Sequence, residues 1–310
     1  MVIYTVTLNP AVDKTVVIPD FSVGVVNRIQ DVRIDAGGKG INVSKCLKNL
    51  GMDSTVGTVL GGSSGTQVLT LAKELGLNVL SVPVSGETRT NVKIVDTVRH
   101  ENTDINEAGP EVPEEDLRNL RDSIASRITP GDLLILSGSL PKGAPATLYR
   151  QWVDFFKTLG AKVILDADGE PMRQGVLAKP CLIKPNDVEL SGLAGEPLTT
   201  DRQLIAAGER LLRAGVGEVL ISRAEKGAIY LSEEGTYQAD GLRVSVLSTV
   251  GAGDAMVAAM AYGFVKNMSA PDRLRLATAM GAASVMCSGT QPPAAALVWE
   301  LFEQVHIQEV

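Results

Sequence analysis

Short runs of β-branched and aliphatic residues recur along the chain, separated by stretches in which apolar positions fall every three or four residues. The runs are Val2–Leu8, Thr55–Leu60, Leu133–Leu136, Val163–Leu165, Leu182–Lys184 and Glu218–Ser222. Each is short and almost continuously apolar, which predicts strands buried on both faces. Between them, Leu117, Leu120, Ile124 and Ile128 share one face of a helix predicted to start at Pro113. Leu204, Ile205, Leu211 and Leu212 do the same for a helix starting near Asp201. Buried strands alternating with amphipathic helices predict an α/β fold, a parallel sheet covered on both sides and joined by right-handed crossovers.

Two regions break that rhythm. Residues 11–35 and 84–108 alternate polar and apolar positions, through Lys14–Ile18, Arg28–Ile34, Thr90–Val98 and Glu101–Asn106. They predict a small β-layer projecting from the core as a lid or an interface, with two ordinary edge hairpins as the alternative. From Gly251 onward the chain turns helical and rich in Gly and Ala, which lets helices approach each other and a ligand closely. No repeat, charge run or low-complexity linker divides the chain, so residues 1–310 read as one domain.

Composition narrows the function. With 45% hydrophobic and 21% charged residues the chain is expected to be globular rather than disordered. A formal net charge of −7 argues against a nucleic-acid partner, which needs a basic face, but leaves room for a small anionic substrate held by a few local cations. Cys46, Cys181 and Cys287 are scattered and read as reduced thiols. His100 and His306 are the only histidines, so a histidine metal site or a Ser-His-Asp triad is poorly supported. No segment reaches the roughly 18–20 apolar residues of a membrane span, and Pro10 and Asp13 arrive too early for a signal-peptide core. A cytoplasmic location is expected, without a membrane partner.

Three segments can carry chemistry. In Ser248–Met256 (STVGAGDAM), a β-run over Arg243–Leu247 is predicted to end just before the glycines and a helix to begin just after. Gly251 and Gly253 allow a tight turn whose N–H groups, with the positive end of the helix dipole, form an anion site. Asp254 in the first helical turn could then take a proton from a hydroxyl attacking a phosphoryl group, or could simply cap the helix. In Ala36–Ser44 (AGGKGINVS) the glycines precede a helix running to Leu50. This is no Walker loop, since no Lys-Ser/Thr pair follows, but Lys39 and Asn42 could bind sugar hydroxyls. In Lys184–Leu190 (KPNDVEL), Asn186 and Glu189 have capping-box spacing and could equally organise Mg2+ and its waters.

TLNPAVDKT, AGGKGIN, ETRTN, SGSLPKG, KPNDVEL and STVGAGD occur in the order seen in the ribokinase-like (PfkB) carbohydrate kinases. The chain resembles that family from about Thr5 to Thr290. The resemblance implies a three-layer sandwich with a mostly parallel central sheet and a small β-sheet lid, ATP as co-substrate, Mg2+, and a homodimer joined through the lids. TLNPAVDKT and SGSLP resemble the sugar-phosphate branch of the family. ETRTNVKIVD and TDINEAGP resemble members that convert fructose 1-phosphate to fructose 1,6-bisphosphate. Tagatose 6-phosphate and fructose 6-phosphate are alternative acceptors, and a non-catalytic sugar-phosphate sensor is an alternative of another class.

The resemblance also implies roles. Asp254 is the expected base, with Gly251, Ala252 and Gly253 as the anion hole. Asp13, Gly38 and Asn42 are expected at the sugar hydroxyls, and Arg89 and Ser139 match substrate-binding positions. Lys39 is an expected further phosphate contact, and Arg28, on the lid, is expected to reach a neighbouring subunit's site. Asn186 and Glu189 match the motif that organises the metal, here through water. Lys184, Asn186, Ser222, Lys226, Gly227, Thr249, Gly251, Gly253, Gly281 and Ser284 fall where the nucleotide is expected. The chain departs from the family at Ala224, where Gly is common, at Ala255, where Ser is usual, and at Asp168, where small hydroxyl residues are frequent.

Overall fold

The computed structural model describes residues 1–310. Its first half runs β1 (Ile3–Thr7), β2 (Ala11–Val17), β3 (Asp31–Gly37), α1 (Lys39–Asn49), β4 (Thr55–Leu60), α2 (Gly62–Glu74), β5 (Asn78–Pro83), β6 (Arg89–Asp96), β7 (Glu101–Asn106) and α3 (Glu114–Ala125). Then follow β8 (Leu133–Ser137), α4 (Leu148–Thr158), β9 (Lys162–Asp166), α5 (Gly169–Val176), β10 (Leu182–Ile183), α6 (Asp187–Ala194), α7 (Asp201–Arg213) and β11 (Glu218–Ser222). The chain closes with β12 (Ala228–Ser232), β13 (Gly235–Ala239), α8 (Ala252–Val265), α9 (Ala270–Val285), α10 (Ala295–Phe302) and β14 (Ile307–Glu309).

Ten strands form one sheet in the order β14-β13-β12-β11-β10-β9-β8-β1-β4-β5. Every pairing from β11 to β5 is parallel, and only the β12–β13–β14 edge is antiparallel. Both sheet faces are apolar because successive residues pack to opposite sides. Leu134, Leu136, Val163 and Leu165 pack with α3 to α7, whereas Leu133, Ile135 and Ile164 pack with α1, α8, α9 and α10. Each such fully buried side chain contributes about 1.5–3 kcal/mol. Helix starts are locally encoded as well. Thr200 and Gln203 form a reciprocal capping box at the start of α7.

β2, β3, β6 and β7 form a second sheet, in the order β3-β2-β6-β7. The two irregular regions do not make separate hairpins, because β2 and β6 pair in parallel and fuse them. One face of this sheet is polar. Val32, Ile34 and Ile105, on the other side, are all more than one-third exposed.

One strand expectation fails. Arg243–Leu247 forms no strand and joins no ladder. The place beside β13 is taken by β14. The segment hooks instead onto the end of α9, where Leu247 and Ser248 donate backbone N–H groups to the Val285 carbonyl. No helix is long and apolar enough to cross a membrane.

Candidate active site

The carboxyl ends of the parallel strands open beneath the polar face of the small sheet, the place where α/β sheets bind ligands. A cavity of about 430 Å³ lies there, and only two of its 23 lining residues are hydrophobic, so it suits a hydroxylated or anionic ligand. Beside it runs a groove of about 1200 Å³ with nine hydrophobic residues among its 23, able to hold a larger, partly apolar ligand. The two share Asn186, Ser222 and Gly253. Ligands in the cavity and in the groove would therefore meet at the start of α8.

That start is built for a negative charge. Gly251 caps α8 with φ of 85°, a left-handed conformation that a side chain strains. A Cβ on Gly253 would lie 3.1 Å from the Lys184 ammonium, so any larger residue there would press on the cation at the helix mouth. Free N–H groups of the first turn and the helix dipole add to it.

Asp254 is the acid at this mouth, 6% exposed. Its Oδ2 accepts a 2.9 Å hydrogen bond from Asn42 Nδ2 on α1. Burial, reinforced by the negative charge of Asp166, pushes its pKa up to about 6, against the opposing pull of Lys39, Asn42 and Lys184. Such a group is ionised at neutral pH yet basic enough to take a proton.

Asp166 closes β9 and is buried. It lies 3.5 Å from Lys39 and 3.3 Å from Lys184, so one carboxylate holds both ammonium groups beside the helix mouth. Burial works to raise its pKa, but Lys184 and Lys39 together hold it below the usual carboxylate value. The same attraction to Asp166 raises the pKa of Lys39.

Across the cavity, on β2, Asp13 accepts a 3.0 Å hydrogen bond from Asn91 Nδ2 on β6. Burial raises its pKa, partly offset by that bond. Asn42 Oδ1 and Asn91 Oδ1 are buried and accept nothing from the chain, as acceptors kept for ligand hydroxyls would be. Arg89, on β6, donates to the carbonyls of Asn9 at 3.0 Å and Glu107 at 3.1 Å. Its Nε is buried without a partner.

Asn186 and Glu189 form the capping box of α6. Asn186 Oδ1 accepts from Glu189 N at 2.7 Å, and Glu189 Oε2 accepts from Asn186 N at 2.8 Å. Both side chains nevertheless line the cavity. No group of three acidic, Cys or His side chains surrounds a common point. Such a donor set would fit a hard divalent cation held mostly through water rather than by a cage of side chains.

Of the residues singled out in the sequence, Asp13, Gly38, Lys39, Asn42, Arg89, Lys184, Glu189, Gly251 and Asp254 line the cavity. Lys226, Gly227, Thr249, Ala252 and Gly281 line the groove, with Asn186, Ser222 and Gly253 at the boundary. Ser284 is buried behind the turn, its Oγ 4.0 Å from where a Cβ on Gly251 would stand. Two residues lie apart. Ser139 lines neither space and reaches the site through Asn9, whose Nδ2 donates to its hydroxyl at 3.1 Å. Arg28 is exposed on the segment between β2 and β3 and touches neither cavity nor groove of its own chain. Ala224 adopts φ of 48° on the groove wall, a left-handed conformation that glycine enters without strain.

Among the cavity residues that were not singled out from sequence are Asn91, Lys93, Asp104 and Asp166. Asp166 had a signal, a charge at the carboxyl end of an otherwise apolar strand. The other three follow strict alternation on β6 and β7, which marks a face but not what it meets.

The chain matches the pfkB family carbohydrate kinase profile over residues 6–297. It is 36% identical over 307 residues to 1-phosphofructokinase of Haemophilus influenzae, covering 98% of this chain and 97% of that one. Against 1-phosphofructokinase of Escherichia coli K12 the identity is 37% over 281 residues, covering 91% and 90%. Among solved structures, phosphofructokinase-2 from E. coli in complex with fructose-6-phosphate superposes with a TM-score of 0.93 at 26% identity, covering 98% of each chain. The tetrameric inhibited form of that enzyme gives 0.91 at 27%, with the same coverage.

Proposed function

The chain belongs to the pfkB family of carbohydrate kinases, and on that premise we infer that it phosphorylates fructose 1-phosphate to fructose 1,6-bisphosphate with ATP. The observation that carries the inference is the meeting of a polar cavity and a larger, more apolar groove at Gly253, beside a buried carboxylate. The 6-hydroxyl oxygen attacks the γ-phosphorus, the bond from that phosphorus to the oxygen of ADP breaks, and the hydroxyl proton passes to Asp254. The first-turn amides of α8 receive the negative charge of the phosphoryl oxygens. Lys39 and Lys184, held by Asp166, add positive charge beside them. Asp13, Asn42 and Asn91 orient the sugar through its hydroxyls, which turns the reaction into an intramolecular one in effect. Mg2+, when bound with ATP, supplies charge neutralisation on the phosphates, and Glu189 with Asn186 would hold its waters. Kinase assays across fructose 1-phosphate, fructose 6-phosphate and tagatose 6-phosphate test the assignment. The highest kcat/KM is expected for fructose 1-phosphate, and a preference for another acceptor would overturn it.

Arg89 binds the phosphate that the acceptor already carries. Arg89→Ala is expected to raise the KM of the sugar phosphate about tenfold to a hundredfold while the KM of ATP stays put. Equal changes in both would mean that its two bonds to backbone carbonyls are its whole purpose.

The functional unit is a homodimer joined through the small sheets, which act as lids. Val23 and Val26 are 92% and 80% exposed on the segment between β2 and β3, and with Val32, Ile34 and Ile105 they offer apolar surface for a second copy to cover. In that arrangement Arg28 reaches the partner's acceptor site. Mixing Arg28→Glu with Asp254→Asn subunits then restores activity from two inactive parents, because one site of the mixed dimer carries neither lesion. Mixed dimers that form and stay inactive would rule out the shared site. The reaction belongs in the cytoplasm, in keeping with ATP as donor and three free cysteines.

A further inference from the structure

The polar face of the small sheet carries two cross-strand rows of side chains over the cavity. In one, Asp35 stands opposite Asp13, Asp13 opposite Asn91, and Asn91 opposite Asn106. In the next, Arg33 stands opposite Thr15, Thr15 opposite Lys93, and Lys93 opposite Asp104. Residues two apart on a strand share a face, so both rows point the same way. The first row is neutral or acidic and suits hydroxyls. The second brings a cation, Lys93, whose side chain is only 11% exposed and whose ammonium lies 3.4 Å from the Asp104 carboxylate. Lys93 and Asp104 both line the cavity, and the chemistry described so far uses neither.

Lys93 also stands at a definite end of that cavity. Arg89, four residues earlier on β6, bonds to the Asn9 carbonyl, and Asn9 bonds to Ser139. The Lys93 row abuts the opposite wall. Arg33 Nη2 donates to the Ser288 carbonyl at 2.7 Å, and a Cβ on Gly289 would lie 3.4 Å from Thr15 Oγ1. Thr290, next in the chain, packs against Gly251, its Cα 3.8 Å from where a Cβ there would stand. Through Arg33 and Thr15 the row that holds Lys93 thus reaches the segment packed against the mouth of α8, as does the neighbouring row, where Gln291 donates to Asp35.

We propose that Lys93 contacts the phosphoryl group in transit from the small-sheet side, and that Asp104 positions its ammonium. The proposal rests on the kinase assignment above. As the acceptor oxygen bonds to phosphorus and the bond to ADP breaks, negative charge on the phosphoryl oxygens meets the α8 amides on one side and Lys93 on the other. Lys93 exchanges no proton and forms no bond; its contribution is electrostatic.

The test compares wild type with Lys93→Met, which keeps the apolar stem, and Lys93→Arg, which keeps the charge. Lys93→Met is expected to lose roughly 10- to 100-fold in kcat while the KM of fructose 1-phosphate stays within about threefold. Its affinity for ADP with aluminium fluoride, a mimic of the phosphoryl group in flight, falls by a similar factor in the presence of fructose 1-phosphate. Its affinity for fructose 1-phosphate alone does not change. Lys93→Arg recovers most of the kcat. If Lys93→Met fails to fold, Asp104→Asn, which loosens the ammonium, is expected to show the same fall in kcat at constant KM. A raised KM or Kd for fructose 1-phosphate with kcat intact would assign Lys93 to the acceptor's own phosphate and overturn the proposal. An indifferent Lys93→Met in an active enzyme sinks the proposal alone, whereas a wild type that phosphorylates none of the three ketohexose phosphates sinks the kinase assignment with it.

Discussion

Asp254→Asn is expected to retain the fold and both binding sites yet lose roughly 10²- to 10⁴-fold in kcat, because an amide cannot accept the hydroxyl proton. The substitution preserves size and leaves an oxygen for the bond from Asn42. In the wild type, kcat/KM should fall tenfold per pH unit below about 6, where burial and the Asp166 charge bring Asp254 to protonation. The residual activity of the variant should lack that limb. Stability carries the opposite sign. The folded-state pKa is raised from 3.8 to about 6, so the folded chain holds this proton more tightly than the unfolded one. The resulting stabilisation is complete below about pH 4 and is lost as pH rises through about 6. Asp254→Asn, which never ionises, should therefore be more stable than wild type at neutral pH. A variant whose kcat stayed within threefold of wild type would remove Asp254 from the chemistry.

The second large effect is on the scaffold. Asp166→Ala should destabilise the protein by about 3–5 kcal/mol, the usual cost of removing one partner from a buried ion pair. Lys184, buried beside it, has no other salt-bridge partner within 4 Å. Denaturant unfolding measures the loss directly. A companion readout is free of it, since removing the Asp166 charge also removes one of the causes that raise the Asp254 pKa. The acid limb of kcat/KM should accordingly move to lower pH. An unmoved limb, or a loss of stability under about 1 kcal/mol, would mean that the lysines are solvated without Asp166.

The sheet was legible in the sequence because its strands are buried on both faces. Thr55–Leu60 and Glu218–Ser222 coincide with β4 and β11, and the other four buried runs agree with β1, β8, β9 and β10 to within a residue or two at each end. What escaped notice lies where hydrophobicity carries no message. β14 is three residues long and does not announce its partner, whereas β7, exposed along its whole length, was legible as Glu101–Asn106 through its alternation. Arg243–Leu247 has strand-like residues, but the place beside β13 goes to β14, and which segment pairs there is a property of the whole fold. Around the cavity, the glycine and cap segments were readable because each is local: Gly251 to Asp254 forms one turn, and Asn186 to Glu189 forms one box. Asp166 and Lys93 take their meaning from Lys184, Lys39 and Asp104 on other elements, a relation that spacing along one segment cannot express.

The position of β1 has a consequence for how the protein is made. β1 becomes an interior strand, between β8 and β4, and α1 shares its core with α8, α9 and α10, all but β4 made well after it. β8 does not begin until Leu133 and α8 not until Ala252. At ordinary elongation rates the apolar side of α1 waits on the order of 10–50 s for its cover. Val43 and Leu47, fully buried in the finished molecule, are throughout that time a surface for chaperones or for neighbouring nascent chains to find. Any message cut short before α8 yields a product that cannot bury them at all.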